Sequence, residues 1–212
     1  MAPRIGNIAS YATQEKYLVD FFGDEFIVTV TPDPSVIGQW IHDVLLRQRS
    51  SSHPLVVGVG VQWTPSGYQY DPPADTLQLC VGYRCIIIQL SHCNRVPNIL
   101  YSFLADPETT FVGVWNSQDA RKLEESKHQL EIGELLDLRK YVVDSTGRWS
   151  LRGCSFEVIV EECLGYRGVR LDRQVSMSDW SAYDLCHRQI LQASLDVYVC
   201  YKLGVKYRLW QL

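Results

Sequence analysis

No stretch of this chain approaches the ~20 consecutive apolar residues that a membrane-spanning helix needs. The segment from Arg84 to Leu90 is only strand-sized. The first residues, Met1-Ala2-Pro3-Arg4-Ile5-Gly6, lack the apolar stretch of a secretory signal. Among seven cysteines, an odd number, there is no Cys-x-x-Cys pair. Free thiols in a reducing compartment, nucleus or cytosol, are therefore expected. An excess of positive charge is also missing. Twenty Lys and Arg face 24 Asp and Glu, a net charge of −4, so no global field draws the chain to nucleic acid. The small basic groups Arg47/Arg49, Arg167/Arg170/Arg173 and Lys202/Lys206/Arg208 read as solvated surface. There is no Gly-x-Ser-x-Gly elbow and no Cys–His signature. The histidines (His42, His53, His92, His128 and His187) stand in polar or helical surroundings. Gly58-x-Gly60 lacks the third glycine and the acid of a dinucleotide site.

What is present describes one compact domain over residues 1–212. With 46% hydrophobic and 21% charged residues, the chain can bury a sizeable core and is neither disordered nor fibrous. Lys16 to Phe22 and Phe26 to Thr31 predict a hairpin turning at Gly23-Asp24. Asp33-Pro34 predicts a helix start, Asp as N-cap and Pro at the first helical position, with Val36, Ile37, Trp40, Ile41, Val44 and Leu45 recurring on one face. Leu55 to Trp63 is a continuous apolar run, as in a central strand covered on both faces. Thr64 to Asp75, with three prolines, predicts a loop.

Beyond it, strands are expected at Thr76–Gly82, Arg84–Leu90, Thr110–Val114 and Leu135–Leu138. Helices are expected at 97–104, 117–128 with Ser117 as N-cap, 155–164 stopped by Gly165, and 185–203. The alternation predicts an α/β or α+β protein with a mixed sheet. Cys80, Cys85, His92 and Cys93 invite a zinc reading, but structural zinc sites use tighter paired spacing. Their apolar surroundings make them core.

Taken in order, Leu55 to Trp63, Thr76 to Gly82, Phe111-Val112-Gly113-Val114 with Asp119 and Leu123, Asp137-Leu138-Arg139, Ser178-Asp179-Trp180, and the last helix with Gln189, Ala193 and Asp196 resemble successive blocks of the Werner syndrome-type 3′–5′ exonuclease domain. The resemblance covers residues 54–205. Residues 1–53, the hairpin and helix, resemble the extension of plant members. The fold this implies is ribonuclease H-like, a five-stranded mixed sheet flanked by helices.

The resemblance further implies the DEDD group in its tyrosine-bearing class. Such chemistry uses four carboxylates around two Mg²⁺ or Mn²⁺ ions about 3.5–4 Å apart, and a tyrosine that orients the attacking water. Here Gly60 stands at the Asp position of the Asp-x-Glu strand motif, Gln62 at the Glu position, and Gln192 at the Tyr position. Asp119 and Asp196 match the third and fourth carboxylates. Gly60 offers no ligand and Gln62 no negative charge, whereas hard cations are held largely by carboxylates. Asp71, Asp75 and Asp179 have no spacing that substitutes for Gly60.

No cofactor is therefore expected beyond a weak single Mg²⁺ or Mn²⁺ at Asp119 and Asp196. The expected protein is a catalytically inactive family member acting as a regulatory module. Its partner would be a protein, a second copy or, weakly, nucleic acid, and no membrane is involved. The competing reading is an active 3′–5′ exonuclease on DNA or RNA with a reduced metal site at the same two acids. Trp115 and Trp63 are candidate nucleic-acid contacts. For Trp115, the alternative is an indole filling the space left by the lost ligands; for Trp63, a structural role.

Overall fold

The computed structural model describes residues 2–66 and 71–212; residues 67–70 of the expected 64–75 loop lie outside the described residues. In chain order the elements are β1 (Arg4–Ser10), β2 (Glu15–Phe21), β3 (Asp24–Thr31), α1 (Pro34–Gln48), β4 (Val56–Gln62), β5 (Thr76–Val81), β6 (Arg84–Gln89), α2 (Asn98–Leu104), β7 (Thr110–Gly113), α3 (Asp119–Glu124), β8 (Leu135–Asp137), α4 (Phe156–Leu164), α5 (Arg173–Ser176) and α6 (His187–Lys206). They build one sheet in the order β1-β2-β3-β6-β5-β4-β7-β8.

The sheet thus has eight strands, not five. The segment β6-β5-β4-β7-β8 is the expected five-stranded unit, mixed because β5 runs antiparallel to both neighbours while β7 and β8 run parallel to β4. The N-terminal hairpin does not stand apart from it. β3 pairs parallel with β6, Ile27 opposite Arg84 through Thr31 opposite Ile88, and β2 and the unanticipated β1 follow antiparallel. An otherwise open β6 edge, with unpaired backbone donors and acceptors, is thereby satisfied.

Local chemistry accounts for the element ends. Asp33 Oδ1 accepts from the Ser35 and Val36 amides at the start of α1, 2.8 and 3.1 Å away, which satisfies two of its orphan donors. Gly165 closes α4 at φ +78°, the left-handed conformation that favours glycine. The hairpin turn falls on Phe22-Gly23 and not Gly23-Asp24, since Phe21 pairs with Asp24. Phe22 tolerates φ +58° with its ring stacked on Tyr166, centroids 4.5 Å apart. Ser117 does not cap α3: Gln118 occupies the cap position without a side-chain bond, and the helix ends at Glu124.

Two cores flank the sheet. Val56, Cys80, Cys85, Ile87 and Val112 face α4, α5 and α6; Val57, Val59, Val61, Leu77, Leu79, Ile86, Ile88 and Phe111 face α1 and α2. The alternation along β4 leaves Gly58, Gly60 and Gln62 on the α6 side. A β-carbon on Gly58 would lie 1.9 Å from the Val197 carbonyl oxygen, and one on Gly204 would lie 2.9 Å from Val56 Cγ1. Glycine at both places lets α6 rest directly on the central strand.

Candidate functional site

Three elements converge at the C-terminal end of β4. Gly60 and Gln62 supply the strand, Asp119 opens α3, and Asp196 projects from α6. A β-carbon at Gly60 would meet Asp196 Oδ2 at 3.6 Å, so the strand position and the helical carboxylate do share one pocket. The same point lies 3.0 Å from Val197 Cγ1 and 3.1 Å from Gln78 Oε1. A side chain beginning there would be packed tightly against a valine methyl and an amide oxygen, each of which would have to give by a few tenths of an ångström. Gln78 is fully buried; its Nε2 donates to Thr76 Oγ1 at 2.6 Å, while its Oε1 has no partner.

The acids are strongly perturbed. Burial first, then the Asp119 charge, pushes the Asp196 carboxyl up to about 8. Burial, followed by the charge of Asp137, raises Asp119 to about 7. Desolvation disfavours a carboxylate when no cation compensates it. Asp137, at the end of β8, is itself compensated. Its carboxylate accepts from the Arg139 backbone amide at 3.1 Å, from Nε at 3.0 Å and from a terminal guanidinium nitrogen at 2.5 Å.

The other positions are engaged elsewhere. Gln192 Oε1 accepts from the Asp172 amide at 2.6 Å, and its Nε2 donates to Asp172 O and Ser176 Oγ at 3.2 and 2.8 Å. It clamps the segment leading into α5 onto α6. Asp71 is paired with Lys122 and Arg121. Asp75 accepts from Thr64 N and Ser91 Oγ, and Asp179 from Thr64 Oγ1 and Ser181. Thr64 thereby joins the end of the central strand to the 178–183 segment, and none of these contacts brings an acid to Gly60. Among the described residues, no group of three or more His, Cys, Asp or Glu side chains could hold a metal ion. The donor set around Gly60, the carboxylates of Asp119 and Asp196 with neutral amides beside them, does not fit a two-metal centre built on four carboxylates.

Trp63 packs against the core of the α1 face, and the Lys122 ammonium lies 4.9 Å from its ring centroid. Trp115 does not fill the space at Gly60. It is 53% exposed, with the Arg139 guanidinium carbon 3.6 Å from its ring centroid. Cys80 and Cys85 pair across β5 and β6 on the α6 face, whereas buried Cys93 belongs to the opposite core. His92 bonds to Ser181 O at 2.6 Å. These four side chains do not assemble a zinc site.

Sequence reasoning overlooked Gln78, Val197, Lys122 and Arg139. The first two carry no motif: the pairing of β5 with β4 sets Gln78 opposite Gly60, and only the packing of α6 on the sheet brings Val197 there. Lys122 stands one helical turn after Asp119, and Arg139 two residues after Asp137, spacings visible in the sequence.

Residues 45–209 match the 3′–5′ exonuclease family. The chain belongs to that family. It is 28% identical over 148 residues to a 3′–5′ exonuclease of Drosophila grimshawi, an alignment covering 66% of this chain and 43% of that protein. The chain spans less than half the length of that curated relative. Escherichia coli RNase D, an exoribonuclease involved in structured RNA processing, has a similar fold, with a TM-score of 0.65 at 21% identity over 85% of this chain and 44% of that one. So does Brucella melitensis NrnC, solved with bound Mg²⁺, with a TM-score of 0.54 at 18% identity over 73% and 72% of the two chains. Eight strands against an expected five apart, the ribonuclease H-like architecture is the one observed.

Proposed function

We propose that this chain is a non-catalytic member of the 3′–5′ exonuclease family, retained as a binding module for a protein surface, a second copy of itself or a nucleic-acid strand. The observation that supports this reading is the crowding at Gly60 by Val197 and Gln78. A side chain at this position would fit only if both neighbours gave way by a few tenths of an ångström. Gln62 contributes no charge, and Gln192 is committed to Asp172 and Ser176. Two dications facing Asp119 and Asp196 would lack half of the carboxylate charge that such centres use. The free cysteines suit a reducing compartment such as the nucleus or cytosol.

The test is direct. Purified protein is incubated with single-stranded and recessed DNA and RNA in Mg²⁺ and in Mn²⁺, beside Asp119→Ala. No shortening is expected from either protein. Stepwise shortening that disappears in Asp119→Ala overturns the reading.

A second reading, an exonuclease with a reduced metal site, draws on one observation. The unpartnered Gln78 Oε1 sits near Asp196, and hard cations accept neutral oxygen ligands. Calorimetric Mn²⁺ uptake by the unaltered chain, abolished by Asp196→Asn, would favour it.

A further inference from the structure

The turn between β7 and α3 passes through Trp115 at φ +55°, a left-handed conformation that a bulky residue seldom adopts. Its neighbour Asn116 holds it there. The Asn116 amide donates to Leu136 O at 3.0 Å, and the Asn116 carbonyl accepts from the Asp119 amide at 3.1 Å. The turn so held delivers the indole into solvent, 53% exposed. Behind the ring stands Arg139, itself tied by three hydrogen bonds to buried Asp137. Both the ring and its support are fixed before anything binds, so little ordering cost remains.

We infer that Trp115, backed by Arg139, is a stacking platform for a base of single-stranded nucleic acid at the mouth of the altered site. The inference rests on the binding-module reading and names its partner. Stacking on an aromatic face tolerates any base, because every base has a π-face. The guanidinium behind the indole also selects. A cationic protein side chain approaching the free face would be repelled across the ring, whereas a neutral flat base is not. Exposed Lys140 follows Arg139 in the chain and supplies a positive charge for the phosphate of the stacked nucleotide. Asp137, the nearest acid to this support, is already paired with Arg139.

The experiment is fluorescence anisotropy of end-labelled oligo-dT and oligo-U with the full chain in EDTA, which separates binding from any metal-dependent hydrolysis. Trp115→Asn removes the ring while suiting the left-handed backbone, and Trp115→Phe keeps an aromatic face. The unaltered chain is expected to bind. Trp115→Asn should weaken binding about tenfold or more with no change in the salt dependence of affinity, and Trp115→Phe should recover most of the loss. Lys140→Ala should instead lower the slope of log affinity against log salt by about 0.7. Failure of the unaltered chain to bind either oligonucleotide, or equal binding by Trp115→Asn, overturns the inference. Shortening of the same oligonucleotides when Mn²⁺ replaces EDTA would instead overturn the non-catalytic reading and leave the platform standing.

Discussion

The carbonyl oxygen of Val197 lies 1.9 Å from the point that a β-carbon on Gly58 would occupy. No rotamer change relieves a contact between a β-carbon and backbone. The helix that carries Asp196 and Gln192 can therefore reach the central strand only if residue 58 is glycine. Gly58→Ala should push α6 off the sheet and cost about 3 kcal/mol or more, at or beyond the usual range for overpacked cores. Urea unfolding measures it; a loss below about 1 kcal/mol would mean that α6 does not sit this close to β4.

Gly60→Asp with Gln62→Glu places two carboxylates on β4 beside Asp196, and Mn²⁺ binding is the expected gain. The new β-carbon sits 3.0 Å from Val197 Cγ1 and 3.1 Å from Gln78 Oε1, so binding should tighten further when Val197→Ala is added. Titration calorimetry reads both variants. If neither takes up Mn²⁺, the assignment of Gly60 to the first ligand position is wrong.

The raised carboxyls make stability depend on pH. Asp196 at about 8 and Asp119 at about 7 hold protons that the unfolded chain releases near 4. Their contribution to stability is present at low pH and is lost as the pH rises towards 8. Asp196→Asn keeps a neutral side chain of similar shape. It should stabilise the protein at about pH 8 by about 1–3 kcal/mol relative to its effect at about pH 5. Thermal melts across this range check the sign, and an Asn variant that gains nothing at the alkaline end contradicts it.

Gln192→Tyr tests whether a tyrosine at the position expected to orient water is enough for hydrolysis. Three hydrogen bonds to Asp172 and Ser176 are lost, so the change should destabilise the chain by about 1–3 kcal/mol and generate no nuclease activity. Nuclease activity in this single variant would mean that a metal centre had been present all along.

The scattered cations illustrate how tertiary packing disposes of charge. Lys202 pairs with Asp24, Arg167 with Glu161 and Arg170 with Glu157, while Lys206 donates to Cys163 O at 2.6 Å. A basic residue whose charge is met by a neighbouring acid adds little to a field for polyanions. Any strand that binds would have to find its contacts locally, as inferred for Trp115.

Much of the architecture was already present in local chemistry. The Asp33-Pro34 cap, the Gly165 stop and the alternation along β4 depend on residues within a few positions of each other, so the chain alone determined them. That Gly60 and Gln62 carry no carboxylate was equally legible, because a side chain's chemistry is a property of one residue. What packs against Gly60 was not. Gln78 comes from the neighbouring strand, set opposite Gly60 by the pairing of β4 with β5, and Val197 from a helix more than a hundred residues away, brought there by the close approach of α6 at Gly58. The same holds for the joining of the hairpin to β6 and for the Arg139–Trp115 stack: each is a contact between segments whose separate patterns are ordinary, and whose meeting is a matter of packing energy, not of local propensity.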